Sequence, residues 1–166
     1  MSHDDEFTDY VAARWPRLVR SALLLGCTEP EAEDVVQAAL ARCYVHWRKV
    51  SRADNPDAYV QRVLVNTFVS SRRPRWRTER PTDQLPERAV ADGTQAVDTA
   101  DVVMRGLARL PQDQRVAVVM RHYAHMSEAQ MVAALGVPAG TVKSRLSRAM
   151  KALAADPELA AMEGIA

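Results

Sequence analysis

Two stretches of this 166-residue chain concentrate the side chains that could do chemistry, and in both the chemistry is anion and base recognition rather than bond making. Near the C-terminal end, Thr141, Lys143, Ser144, Arg145, Ser147, Arg148 and Lys151 fall within eleven residues. Lys and Arg reach phosphates or guanine edges, and Ser and Thr hydroxyls bond either. Earlier in the chain, Arg62, Arg72, Arg73, Arg75 and Arg77 are interleaved with Phe68 and Trp76 and preceded by Tyr59. Cations track a phosphate backbone while aromatic faces stack on unpaired bases, so this mixture suits opened or single-stranded DNA better than an intact duplex. Tyr59 and Phe68 also fit a buried helical stripe, and core packing is the plainer reading of both. Trp76 has no packing role in that pattern.

Little else in the sequence is reactive. The four histidines, His3, His46, His122 and His125, show no metal-ligand or triad spacing. His122 and His125 stand three residues apart and could share a ligand, but read as exposed helix histidines. Cys27 and Cys43 have no CxxC or Cys/His pattern and are expected to be reduced, with Cys43 on an apolar helix face. No catalytic group, metal or cofactor is expected. No run approaches the roughly 20 apolar residues of a membrane span, and the acidic start of the chain is unlike a secretory signal, so a cytoplasmic protein is expected.

The net charge of +1 conceals strong segregation. Residues 1–47 carry four basic and eight acidic side chains, residues 48–80 nine and three, residues 81–104 one and five, residues 105–153 eight and two, and residues 154–166 none and three. Two basic blocks are thus divided by an acidic one, and local potential follows the blocks rather than the average.

The elements that must position these blocks are helices. Phe7, Val11, Trp15, Leu18, Ala22 and Leu25 step by three or four and predict a helix from about Glu6 to Leu25, with a kink or two abutting helices at Pro16. Thr28 and Glu31 form a capping box with Pro30 in the first turn, followed by an apolar stripe from Ala32 to Trp47. Asn55 as cap and Pro56 at the first position start a third helix, expected to end near Arg73 before Pro74. Periodicity lapses from Arg77 to about Asp98, as in a linker. Helices resume at Thr99 and after Pro111. Ser127 and Gln130 form a second capping box, Gly136 ends that short helix, and a last helix runs from about Ala139 to Leu153. A short capped helix, a tight turn and a longer basic helix describe a helix-turn-helix, whose second helix can lie in the major groove. The fold class is all-α: two small helical domains joined by a flexible acidic linker.

The stretch from Leu107 to Leu153, LARLPQDQRVAVVMRHY through MSEAQMVAALGVPAGTVKSRLSRAMKAL, resembles region 4 of extracytoplasmic-function (group 4) sigma factors. Ala32 to Trp47 resembles regions 2.1 and 2.2, and Asn55 to Arg73 resembles regions 2.3 and 2.4, with the nearest likeness to the sigma-E-type group of actinobacteria. The resemblance implies a region 2 domain over residues 1–78, a linker over 79–98, a region 4 domain over 99–155 and a tail over 156–166. It implies a non-catalytic subunit that binds core RNA polymerase and directs promoter-specific initiation. Asp34 and Gln37 would meet the largest-subunit clamp, and region 4 would meet the flap. Arg52, Asn55, Tyr59, Arg62, Asn66, Arg72 and Arg73 would contact the −10 element, and Thr141, Lys143, Ser144, Arg145, Ser147 and Arg148 the −35 element. An anti-sigma factor is a further partner the resemblance allows; a membrane is not. Ala38, where the family usually places Glu, and Ser70 to Pro74 depart from the family pattern.

Three rivals differ in class. An autonomous helix-turn-helix regulator leaves the first basic block without a task, an enzyme lacks candidate residues, and a purely protein-binding adaptor does not need the charge segregation.

Overall fold

The computed structural model describes residues 2–78 and 99–163, with side chains for 2–72 and 99–162, and every regular element among them is helical. The expected linker lies outside the described residues apart from its first two positions, Arg77 and Thr78.

The N-terminal domain is built on α1 (His3–Leu24), α2 (Glu29–Val45), α3 (Trp47–Val50) and α4 (Pro56–Thr78). Helix α1 starts earlier than the apolar pattern alone predicts, because Ser2 and Asp5 cap one another's backbone N–H groups. It is one helix with Pro16 inside it, not two abutting ones. Trp15 and Val19 pack on the core on either side of the proline, and Leu18 and Ala22 are buried, so tertiary burial overrides the lost hydrogen bond.

Thr28 and Glu31 form the expected capping box at the start of α2. The stripe that follows is buried at Ala32, Val35, Val36, Ala39, Leu40 and Cys43. It breaks at His46, so Trp47 opens the short α3 instead of closing α2. There the indole is buried, with Phe7 edge-on at 5.1 Å and Tyr10 tilted against it at 4.9 Å. Asn55 caps α4 by accepting from the N–H of Ala58 at 3.0 Å. Helix α4 does not stop before Pro74; it continues to Thr78 and takes in the backbone of Trp76. The proline forfeits one helical hydrogen bond without ending the helix. Phe68 is fully buried, as core packing requires.

The C-terminal domain contains α5 (Thr99–Ala108), α6 (Gln112–Val118), a single π-helical turn (Val119–Tyr123), α7 (Glu128–Leu135), α8 (Ala139–Ala154) and α9 (Pro157–Glu163). The chain leaves the π turn through His125, at φ 52°, and Arg121 donates to the Met126 carbonyl at 3.1 Å across this corner. Ser127 and Gln130 cap α7 reciprocally, and Gly136 ends it at φ 66°, the left-handed conformation that glycine adopts without a Cβ penalty. Met131, Val142 and Ala149 are buried between α7, α8 and α6.

Helix α9 gives structure to a tail without any sequence signal. It packs on α5, where Arg105 pairs with Glu158 at 3.0 Å and Arg109 pairs with both Asp156 and Glu158. Asp156 also accepts from the N–H groups of Glu158 and Leu159, which makes it the N-terminal cap of α9.

Candidate nucleic-acid interface

Positions 59, 62 and 66 of α4 are spaced by three and four residues, which puts Tyr59, Arg62 and Asn66 on one helix face, with the cap Asn55 four residues before Tyr59. The opposite face, with Val60, Leu64 and Phe68, is buried. Arg62 lies 6.0 Å from the Tyr59 ring centroid, a cation–π contact that holds both side chains at the same edge. Together with the loop from α3 they line a cleft of about 900 Å³ that also includes Arg48, Lys49, Arg52, Ala53, Asp54, Asn55 and Ala58. The cleft therefore joins four cations, one carboxylate and one aromatic ring. That set can hold a phosphate and stack a base at the same time.

Asn66 is exposed about one turn beyond Arg62 along the same face and is not part of the cleft lining. Arg72 is turned inward: it donates to Glu31 at 2.6 Å and lies 5.1 Å from the Phe68 ring centroid, with its side chain 20% exposed. The carboxylate that caps α2 thus also accepts from α4. The side chain of Arg73 lies outside the described residues.

The pattern did not single out the residues that fix the cleft. Asp57, in the first turn of α4, accepts from Arg14 at 3.1 Å and from the Tyr10 hydroxyl at 3.0 Å, pinning the start of α4 to α1. Burial opposes ionisation of Asp57, but the hydrogen bonds from Arg14 and Tyr10 hold its carboxyl below the usual range. Burial and the same Asp57 contact push the Tyr10 phenol up. Arg48 and Lys49 of α3 were not singled out either, although a basic pair between the α2 stripe and the Asn55 cap is a readable signal.

The second surface is the outward face of α8. With Val142 and Ala149 buried and Leu146 and Leu153 packed on the core, Lys143, Ser147, Arg148 and Lys151 are exposed opposite them. Lys143 reaches Glu128 only at 3.9 Å and remains 70% exposed. Ser144 donates to the Thr141 carbonyl at 3.1 Å. Arg145 is different: it points back to Asp113 of α6 at 3.4 Å and is 23% exposed, so it ties α8 to the domain. Pro138 leaves the N-terminus of α8 without a side-chain cap, and a Cβ at Gly140 would meet only open space. Uncapped N–H groups at a helix start are suited to a phosphate oxygen.

No group of three or more His, Cys, Asp or Glu side chains among the described residues could hold a metal. Cys27 and Cys43 are free and buried, with desolvation raising both thiols to about 11. Asp34 and Gln37 are exposed on α2, away from its buried stripe. No helix among the described residues is long and apolar enough to cross a membrane.

Two helical domains, one with a basic and aromatic cleft and one with a helix-turn-helix, define a DNA-binding protein of the sigma type. Residues 11–78 match the family model for Sigma-70 region 2, and residues 100–153 match that for Sigma-70, region 4. The chain is 42% identical to the RNA polymerase sigma-E factor of Streptomyces coelicolor over 148 residues, covering 89% of this chain and 84% of that protein. It is 41% identical to the RNA polymerase sigma-E factor of Streptomyces avermitilis, covering 92% and 87%. Among solved structures it resembles the sigma factor RpoE in complex with the anti-sigma factor NepR from Bartonella quintana, at 28% identity and a TM-score of 0.59 over 90% of this chain and 94% of that one. The chain belongs to the extracytoplasmic-function sigma factors, within the actinobacterial sigma-E-like part of that family. It is a non-catalytic protein that directs transcription through RNA polymerase.

Proposed function

We propose that the protein works in the cytoplasm by binding core RNA polymerase and touching promoter DNA at two places through its two domains. Region 2 occupies residues 1–78 and region 4 residues 99–155, joined by the acidic linker 79–98. In region 2, the cleft between α3 and α4 takes an unpaired base of the −10 element. Tyr59 stacks on the base, and Arg48, Lys49, Arg52 and Arg62 hold the adjoining phosphates. Asn55 and Asn66 contact the same strand. In region 4, α8 enters the major groove of the −35 element, with Lys143, Ser147 and Arg148 toward the DNA and Thr141 and Ser144 at its N-terminal end. Asp34 and Gln37 on α2 meet the polymerase clamp, and region 4 meets the flap. An anti-sigma factor is a fitting partner, since the similar RpoE was crystallised with one.

The observation that carries this reading is the cleft itself. It places four cations from α3, the following loop and α4 beside an aromatic ring, within the segment that the region 2 model covers. Capturing a base costs a few kcal/mol of unstacking, which contacts available only to the opened strand must offset. Run-off transcription with purified core polymerase over a promoter library tests the proposal. Promoter-selective transcripts that require the protein are expected; no stimulation on any template, together with no binding to core, would sink it.

A further inference from the structure

The two domains are clasped by polar side chains of α6 that reach the end of α1. Arg115 donates from Nε to the Leu24 carbonyl at 2.6 Å and from an Nη to the Leu23 carbonyl at 2.8 Å. Gln112 donates to the Leu25 carbonyl at 2.9 Å. Leu23 and Leu24 close the last turn of α1 and Leu25 is its C-cap; the Leu23 carbonyl also accepts from the Gly26 N–H at 3.0 Å, and the helix dipole is negative at this end. That turn has no basic residue of its own. The cation it lacks is supplied from the other domain, and Arg115 is only 9% exposed there.

The chain just after α1 is shaped for the same contact. Gly26 is at φ 107°, and a Cβ on it would stand 3.0 Å from the Gln112 amide oxygen. Elsewhere along the seam, α4 rests on α7. Buried apolar side chains of the two domains also form one continuous cluster, so the hydrogen bonds orient a seam that is partly apolar, and water can replace each of those bonds when the domains part.

Clasped domains are too close together for the proposed task. Bodies of about 75 residues have radii of gyration of about 11 Å, so two in contact reach about 60 Å end to end. Elements centred at −10 and −35 lie roughly 25 base pairs, or about 85 Å, apart along straight duplex.

We propose that Arg115 and Gln112 form a latch on the C-terminal carbonyls of α1 that holds the free protein in a closed, inhibited state, and that the latch must release before both promoter elements can be read. The inhibitory half of this proposal rests on the promoter-binding reading above; the closed state does not.

The test uses the full-length chain. Arg115→Ala removes two of the three donations, and Gln112→Glu replaces a donor by an acceptor facing a carbonyl, without change of shape. Small-angle scattering should show either variant with a radius of gyration larger by more than about 4 Å than the wild type, while Arg115→Lys, which keeps the cation, stays closer to closed. Circular dichroism establishes that helix content is retained. In transcription at limiting protein, Gln112→Glu should raise initiation about threefold or more. Unchanged scattering in both Arg115→Ala and Gln112→Glu would overturn the latch. Opened variants with no gain in initiation would overturn its inhibitory role. If neither wild type nor variants initiate, the promoter-binding reading fails, and scattering still decides whether the latch exists.

Discussion

The two basic blocks have the same formal excess of charge, yet the fold deploys them in opposite ways. In the first, Arg72 is turned inward onto Glu31, and the useful cations gather around a cleft with Tyr59 on its wall. In the second, Arg105 and Arg109 pair with acids of α9, Arg115 and Arg121 reach carbonyls and Arg145 turns to Asp113, which leaves Lys143, Arg148 and Lys151 along the open side of α8. A cleft can enclose one nucleotide after it has left the stack. A convex row can track only an intact groove. The lesson is that charge count predicts affinity for nucleic acid, while the shape around the charge predicts which state of the nucleic acid is preferred.

The strongest way to break this comparison is to remove one scaffold and keep the other. Trp47→Ala empties a buried indole site between α1 and α3 and should cost about 3–5 kcal/mol of stability. Urea unfolding should show the loss in the N-terminal domain, while duplex binding through α8 persists. Arg148→Ala should weaken binding to −35 duplex by about 1–3 kcal/mol and relax its base preference. An unchanged preference across −35 variants in a mobility-shift series would make Arg148 a phosphate contact. Tyr59→Ala should cost a stacking interaction of about 1–3 kcal/mol on a single-stranded −10 oligonucleotide and nothing measurable on −35 duplex. Asn66→Ala should lower open-complex formation, read by permanganate reactivity, more than initial duplex binding; equal losses would remove it from strand capture.

The smallest effect expected is on pH. Asp57 in one domain and Asp156 and Glu158 in the other are held below their ordinary values: Asp57 by Arg14 and Tyr10 against the cost of burial, Asp156 by Arg109, Glu158 by Arg105 and Arg109. The unfolded chain binds protons more tightly at these groups, so their stabilisation is present above about pH 4 and fades as pH falls through the folded values. Thermal denaturation of Asp57→Asn should show a shallower loss of Tm between about pH 5 and 3 than the wild type.

Much of the fold was legible because its signals are local. Each capping box couples residues three apart, and Gly136 is needed where the chain turns left-handed. The apolar spacing of α2 and α8 likewise marks which side is buried before any partner is known. The elements that were misplaced depend on packing: α2 breaking before Trp47, α4 continuing past Pro74, and α9 forming in the tail. Helix α9 illustrates the reason. Its carboxylates pair with Arg105 and Arg109 about fifty residues earlier, a distance no periodicity window spans.

The sequence by itself determined that this protein is helical, that its charge is divided into two basic surfaces, and that it follows the pattern of a sigma factor. Those properties reside in residue type and short spacing. Only the tertiary structure decided which arginines face outward. Arg72 and Arg145 read like their neighbours in one dimension, and become internal because Glu31 and Asp113 are brought to them by other helices. The same holds for Arg115, whose partners are carbonyls: every residue has one, and only the fold selects Leu23 and Leu24.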